Sequence, residues 1–249
     1  MATGPYELAF AACHGGLDWG WERSVAKRVI DLGVSTVLAV VTLPLVVLMA
    51  IGLSVELRAW PFFVQERGGR GGRSMKIVKL RTLPVTTPTD ADKYELTTVR
   101  VPPFARLLRA LHLDELPQLW LVVAGHMSLV GPRPEMPHLL DRIPPAARRA
   151  RESVRPGCTG LWQISQHVTG LIHEHPEYDV TYVEQRSLRL DLWIMWRTVP
   201  MLLLGRHTDV ALETIDLRDE GPVDVQPVAA RVERAPGFQG VAASTPDRI

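Results

Sequence analysis

The sequence predicts a mostly α-helical fold with one short β-hairpin, in which a re-entrant membrane helix-break-helix precedes a small cytoplasmic domain with interfacial helices. Three observations predict it. An uncharged apolar run, LGVSTVLAVVTLPLVVLMAIGLSV, extends from Leu32 to Val55 between basic flanks. A segment of alternating character around a glycine-rich turn follows from Phe62 to Arg81. From Phe104 onward the apolar residues recur at helical rather than strand spacing.

Composition bounds the rest. A chain of 249 residues, 46% hydrophobic and 22% charged, can bury one good core and carry a tail. Cys13 and Cys158 lie far apart with no CxxC or Cys/His spacing, which argues against a disulfide framework or a structural zinc site and fits a reducing compartment. The net charge of +1 hides an asymmetry: residues 206–249 hold 5 basic and 8 acidic residues, so the rest carries +4. The basic part is also the apolar part, as expected at a membrane surface.

Residues 1–22 read as an irregular lead-in whose Trp19 and Trp21 suit headgroup depth. Residues 23–58 form the membrane segment, whose uncharged run from Leu32 to Val55 is as long as the ~20 residues a helix needs to cross a bilayer. Arg23, Lys27 and Arg28 precede that apolar run, and Arg58, Arg67, Arg70 and Arg73 follow it. Basic flanks stay cytoplasmic, so a straight span would place one of them on the wrong side, whereas a segment that turns back satisfies both. Pro44 in its middle removes a hydrogen bond and supplies the break, with Thr42 at hand for freed carbonyls.

The domain at 59–205 opens with strands Phe62–Glu66 and Met75–Leu80 joined through Gly68 to Gly72. The GGRGGR turn lacks the Lys-Ser/Thr ending of a phosphate loop and reads as a turn. Residues 84–103 have loop composition. FARLLRALHL and LPQLWLVVAG read as two short helices, followed by GPRPEMP, a polar helix with Arg148, Arg149 and Arg151, and the irregular RPGCTGLWQIS. A helix starts near Glu177, and an apolar one from Leu188 to Leu204 carries Trp193, Trp196 and Arg197 and suits the interface plane. Residues 206–249 lose apolar periodicity and read as a disordered tail.

Two clusters can carry chemistry. In LDELPQLW the adjacent carboxylates Asp114 and Glu115 project about 100° apart on a helix, so they take separate roles instead of sharing one proton. Alternatively Asp114 is an N-cap, with Pro117 in the first turn. In GPRP, prolines on both sides of Arg133 fix a backbone that presents a guanidinium fork suited to phosphate, or else form a rigid surface turn. Arg81, Arg109 and Arg155 could add charge. His173, Glu174, His175 and Asp179 lack a third ligand at convincing spacing for a metal.

In order, KRVIDLGVSTVLAVVTLPLVVLMAIGL, FVQERGGRGGRSMKIVKLRT, LDELPQLW, MSLVGPRPEMP, RPGCTGLWQIS and YVEQRSLRLDLWIM resemble the bacterial polyprenyl-phosphate sugar-1-phosphate transferases, the monotopic phosphoglycosyl transferases, over about residues 24–205. The resemblance implies a re-entrant membrane helix broken at Pro44, Asp114 as nucleophile, Glu115 as ligand of Mg2+, and Lys79, Arg81, Arg109 and Arg133, with Pro134, as the phosphate site. Arg155, Gln163, Asp179 and Asp191 are second-tier candidates. The implied reaction moves a sugar-1-phosphate from a UDP-sugar to polyprenyl (undecaprenyl) phosphate, releasing UMP, as the first membrane step of glycan or exopolysaccharide assembly. The implied partners are those two substrates, the inner leaflet of the cytoplasmic membrane, a second copy of the chain as an option, and downstream glycosyltransferases; no nucleic acid is expected. The chain departs from the family's pattern at His126, where an acidic residue is common, and in VPPFAR from Val101 to Arg106. It is read as a catalytic unit alone. Two rivals stand beside this reading: an inactive membrane scaffold for glycan assembly, and a phosphohydrolase that uses water as acceptor.

Overall fold

A computed structural model describes residues 24–91, 94–166 and 170–204. The lead-in at 1–22 and the tail at 206–249 lie outside the described residues. Helix α1, Val25–Leu57, opens the fold with Ser24 capping the Lys27 N-H at 3.1 Å and ends where Arg58 adopts a left-handed conformation (φ 50°). It runs as one helix with Pro44 inside it. The Thr42 hydroxyl donates back to the Leu38 carbonyl, not to the Val40 carbonyl that Pro44 leaves without its donor. Among the described residues α1 is the one helix long and apolar enough to cross a membrane. Its buried residues follow one stripe, Lys27, Asp31, Ser35 and Ala39, then Met49, Ala50 and Leu53. Val37, Val41, Leu48, Ile51 and Val55 remain exposed, an apolar surface of the kind that marks a membrane or protein contact.

Strands β1 (Phe62–Gly68) and β2 (Ser74–Leu80) form the expected antiparallel hairpin, with Phe63 opposite Lys79. GGRGGR is its turn, and Gly71 and Gly72 take φ of 70°, which a Cβ would strain. Helix α2 (Pro103–Ala110) leads into a 3-10 helix at Leu113–Gln118, then α3 (Leu119–Val123), β3 (Ser128–Val130), α4 (Pro137–Leu140), α5 (Pro145–Glu152), β4 (Gly157–Thr159), α6 (Leu161–Ile164), α7 (Glu177–Gln185) and α8 (Leu188–Leu204). The fold is therefore mostly helical. The segment read as irregular contains β4, which pairs in parallel with β3, Ser128 opposite Gly157 and Val130 opposite Thr159. One core gathers Met127, Val130, Ile164, Tyr178, Tyr182 and Ile194. A second joins Met49 and Leu53 of α1 to Leu80, Ala105 and Leu108. Leu116 packs against both, which fixes the 3-10 helix between them.

Both ends of α1 are built into this one domain. The Lys27 ammonium lies 2.7 Å from Asp191 on α8 and 3.3 Å from the Val130 carbonyl. Tyr182 Oη shares its proton between that carbonyl and Asp191, each at 3.0 Å. Asp31 accepts from the Ser128 hydroxyl at 2.8 Å and the Leu129 N-H at 3.1 Å. The Arg28 guanidinium closes the C-terminus of α3 by donating to the Val122 and Val123 carbonyls, at 2.7 and 2.9 Å. At the other end, Glu56 accepts from the N-H groups of Phe104 and Ala105, both at 2.9 Å, and supplies the cap that Pro102 cannot. The basic residues Lys27 and Arg28, read from sequence as membrane-flanking charge, are thus consumed by internal contacts.

The Lys27–Asp191 pair is buried, so removing one partner strands the other. Lys27→Met should lower unfolding stability by about 3–5 kcal/mol, whereas Lys27→Met with Asp191→Leu should recover much of it. Thermal melts of the detergent-solubilised protein read both. An additive double variant would mean that the two residues do not act as a pair.

A close backbone crossing sets the loop after β3. Gly131 N-H donates to the Thr159 carbonyl at 2.9 Å and Gly157 N-H to the Pro132 carbonyl at 2.8 Å. A Cβ on Gly157 would overlap Gly131 N, and one on Gly160 would overlap Gly131 O. Gly157→Ala should therefore cost about 1–3 kcal/mol as the strands part, and should lower activity because Arg133 lies two residues beyond the crossing. Chemical denaturation and turnover of the same preparation test this, and unchanged stability would show that the crossing has slack.

Candidate active site

Three elements bring charge to one place. The 3-10 helix carries Asp114 and Glu115, β2 carries Lys79, and the GPRP loop after β3 carries Arg133. His112, in a left-handed conformation (φ 54°), starts the 3-10 helix, and its carbonyl accepts the Glu115 N-H at 3.2 Å. Asp114 is thus inside the helix and is not its N-cap, which corrects the capping alternative.

The two carboxylates have different surroundings. Glu115 Oε1 accepts from Lys79 Nζ at 2.6 Å and from Arg133 Nη2 at 2.8 Å, while Arg133 Nη1 lies 3.4 Å from Oε2. Burial opposes the Glu115 charge, but Arg133 and Lys79 outweigh it and hold the carboxyl well below its usual range. Burial lowers the Lys79 ammonium against the pull of Glu115, and Glu115 raises the Arg133 guanidinium. Asp114 is 6% exposed, and among the described residues no other side chain bonds its carboxyl. Burial and the neighbouring Glu115 charge push it up to about 6, with Lys79 and Arg109 pulling the other way. One carboxylate is clamped as an anion, and its neighbour is left unclamped within the field of two cations.

The predicted phosphate residues divide. Lys79 and Arg133 meet at Glu115. Arg109 lies 3.5 Å from the Thr82 hydroxyl, close enough for its charge to act on Asp114. Arg81 turns toward Trp60, its Nε 3.1 Å from that carbonyl and its guanidinium 5.5 Å over the Phe63 ring. Pro134 is buried, and its carbonyl is 3.4 Å from Arg67 Nη1. The fork assigned from sequence to phosphate is engaged here by a carboxylate of the same shape, Glu115.

Sequence reasoning missed the groups that hold the loop. Arg67 pairs with Glu135, whose backbone carbonyl accepts the Gly68 N-H at 2.9 Å. Arg151 donates to the Arg133 carbonyl and lies 3.5 Å from Asp179, whose carboxyl burial raises to about 6 against that cation. An acidic residue directly after PRP was the one available signal for Glu135. Of the second-tier candidates, Asp179 thus backs the loop through Arg151. Arg155 bonds the Gly125 carbonyl at 3.0 Å, and Asp191 is the counter-ion of Lys27. Gln163 is buried with no partner for its amide among the described residues. Glu174 accepts from Tyr94 at 3.0 Å, and no cluster of three or more His, Cys, Asp or Glu suited to a metal occurs among the described residues.

Carboxylates together with substrate phosphates are the ordinary way to hold Mg2+. Asp114 and Glu115 Oε2, whose one contact is the long one to Arg133, are the oxygen donors left for it. The donor set therefore fits a magnesium ion that arrives with a diphosphate.

Residues 22–205 match the family model described as bacterial sugar transferase. The chain is 39% identical over 187 residues to a UDP-glucose:undecaprenyl-phosphate glucose-1-phosphate transferase of Caulobacter vibrioides, covering 71% of this chain and 69% of that protein. It is 34% identical over 198 residues to the exopolysaccharide production protein ExoY of Rhizobium meliloti, covering 73% and 87%. It is 29% identical over 185 residues to a UDP-N-acetylgalactosamine-undecaprenyl-phosphate N-acetylgalactosaminephosphotransferase of Aeromonas hydrophila, covering 72% of this chain and 44% of that protein.

Proposed function

Because the chain belongs to the bacterial sugar transferase family, we propose that it moves a sugar-1-phosphate from a UDP-sugar to polyprenyl phosphate through an intermediate on Asp114. It is a phosphoglycosyl transferase enzyme. Transfer of sugar phosphate to undecaprenyl phosphate in glycan or exopolysaccharide synthesis is the activity its relatives support. The observation that carries the finer reading is the asymmetry of the pair: Glu115 is clamped by Lys79 and Arg133, and Asp114 is not.

In the proposed path an Asp114 oxygen attacks the sugar-bearing phosphorus, that phosphorus–oxygen bond to UMP breaks, and UMP leaves. A phosphate oxygen of the lipid then attacks the same phosphorus and frees Asp114, giving polyprenyl-diphosphate-sugar. Arg109, Lys79 and Arg133 neutralise the diphosphate so that a carboxylate can approach it. Glu115 would hold a magnesium ion, which would supply further neutralisation of the diphosphate charge. UMP release from a panel of UDP-sugars tests the whole reading. It should require polyprenyl phosphate for sustained turnover, stop with a chelator and return with Mg2+. Sustained turnover without lipid would indicate the hydrolase, and no release the scaffold.

We also propose that α1 is re-entrant, with both ends at the cytoplasmic face of the inner membrane. The support is that Lys27, Arg28 and Asp31 at one end and Glu56 at the other engage one domain, while the exposed middle is apolar around Pro44. Cysteines engineered near Arg23 and Arg58 should label from the same side, and Pro44→Leu should favour a straight span. Labelling of the wild-type background from opposite sides would remove the hairpin.

A further inference from the structure

We propose that the prenyl chain of the acceptor lies in a crevice along the C-terminal half of α1, with its phosphate at Arg58 and Arg81. This rests on polyprenyl phosphate being the acceptor. The crevice, of about 590 Å³, is walled by Val47, Ile51 and Val55 of α1 and by the returning chain at Trp60 and Phe62, with Arg58 at its end. That volume lies within the roughly 300–1,000 Å³ usual for small-molecule sites. The three α1 residues are spaced i, i+4, i+8, so they form one continuous apolar rail on its exposed face.

Charge complementarity selects the occupant. The walls are apolar, and the cation sits where α1 ends. Arg58 is exposed and makes no hydrogen bond or ion pair among the described residues, so its guanidinium is available to an anion. Arg81 lies behind this end of the crevice, bonding the carbonyl of the wall residue Trp60 and stacking on Phe63. It follows Lys79 by two residues, about 6–7 Å along the strand, and Lys79 holds Glu115. An apolar chain ending in a phosphate therefore fits the crevice from end to end, and its phosphate would stand beside the strand that leads to the carboxylate pair.

The test uses the full chain in detergent micelles and a polyprenyl phosphate carrying a diazirine on its chain. Photolabel should map to peptides within 47–62 and be displaced by unlabelled polyprenyl phosphate but not by phosphatidylglycerol. Two variants extend it: Ile51→Trp fills the crevice, and Arg58→Gly keeps the left-handed turn without the cation. Each should raise KM for polyprenyl phosphate about tenfold, the loss of one good contact, with melting temperature and KM for the UDP-sugar unchanged. Equal displacement by phosphatidylglycerol, label elsewhere, or an unchanged acceptor KM in both variants would overturn the proposal. A wild-type protein that releases no UMP from any UDP-sugar would instead remove the transferase reading, so the two failures are distinguishable.

Discussion

Asp114→Asn should abolish turnover, by roughly a thousandfold or more as for other removed nucleophiles, and should leave the protein at least as stable as wild type at pH 7. Asparagine keeps the size of the side chain and removes the attacking oxyanion. The stability half follows from burial. The Asp114 carboxyl is raised to about 6, above the value near 4 it has in an unfolded chain. Between those two values the folded protein holds a proton that the unfolded chain has released, so this group's contribution to stability falls as pH rises through that window. Asparagine never ionises and escapes the loss. Melting curves from pH 4 to 7 should therefore converge at the acid end and separate toward neutrality, with the variant higher. The same carboxyl must be ionised to attack, so kcat/KM of the wild type should fall on the acid side of pH 6. A variant that is active, or one that unfolds, would return Asp114 to a structural role.

Arg133→Lys should fold and lose about a hundredfold in kcat/KM. Lysine keeps the charge beside Glu115 but cannot grip a carboxylate or phosphate with two parallel donors. The structure adds a reason for a large effect. The loop's position is over-determined by Arg151 on the Arg133 carbonyl, by Arg67 on Glu135 and by the glycine crossing at Gly131 and Gly157. A lysine there is held in place and lacks the right geometry. Steady-state kinetics with the melting temperature as control measure this. Wild-type turnover in the variant would leave GPRP as only a turn.

Much of the architecture was legible because it is written locally. The apolar run, the alternation of Phe62–Leu80 around glycines, and the helices ending at Leu204 each have a period or a breaker inside their own segment. The β3–β4 pair was not legible, since three residues per strand show no alternation and the pairing is set by Gly131 and Gly157 meeting across 25 intervening positions. Asp114 passed for an N-cap because no propensity announces that His112 will take a left-handed conformation. The internal partners of Lys27 and Arg28, Asp191 and the Val122 and Val123 carbonyls, were not legible because they are distant in the chain. For the same reason the candidate site could be named residue by residue, while the clamp that distinguishes Glu115 from Asp114 emerged only when β2, the 3-10 helix and the GPRP loop were seen together.

In the proposed path Asp114 carries the phosphosugar between donor and acceptor. The most direct measurement incubates the protein with a UDP-sugar labelled in the sugar-bearing phosphate, without lipid, then quenches, digests and maps the label by peptide mass. Label should appear on the peptide containing Asp114, be absent from Asp114→Asn and be discharged by a pulse of polyprenyl phosphate. Full turnover without any protein-bound label, or label on another residue that the lipid discharges, would contradict that path.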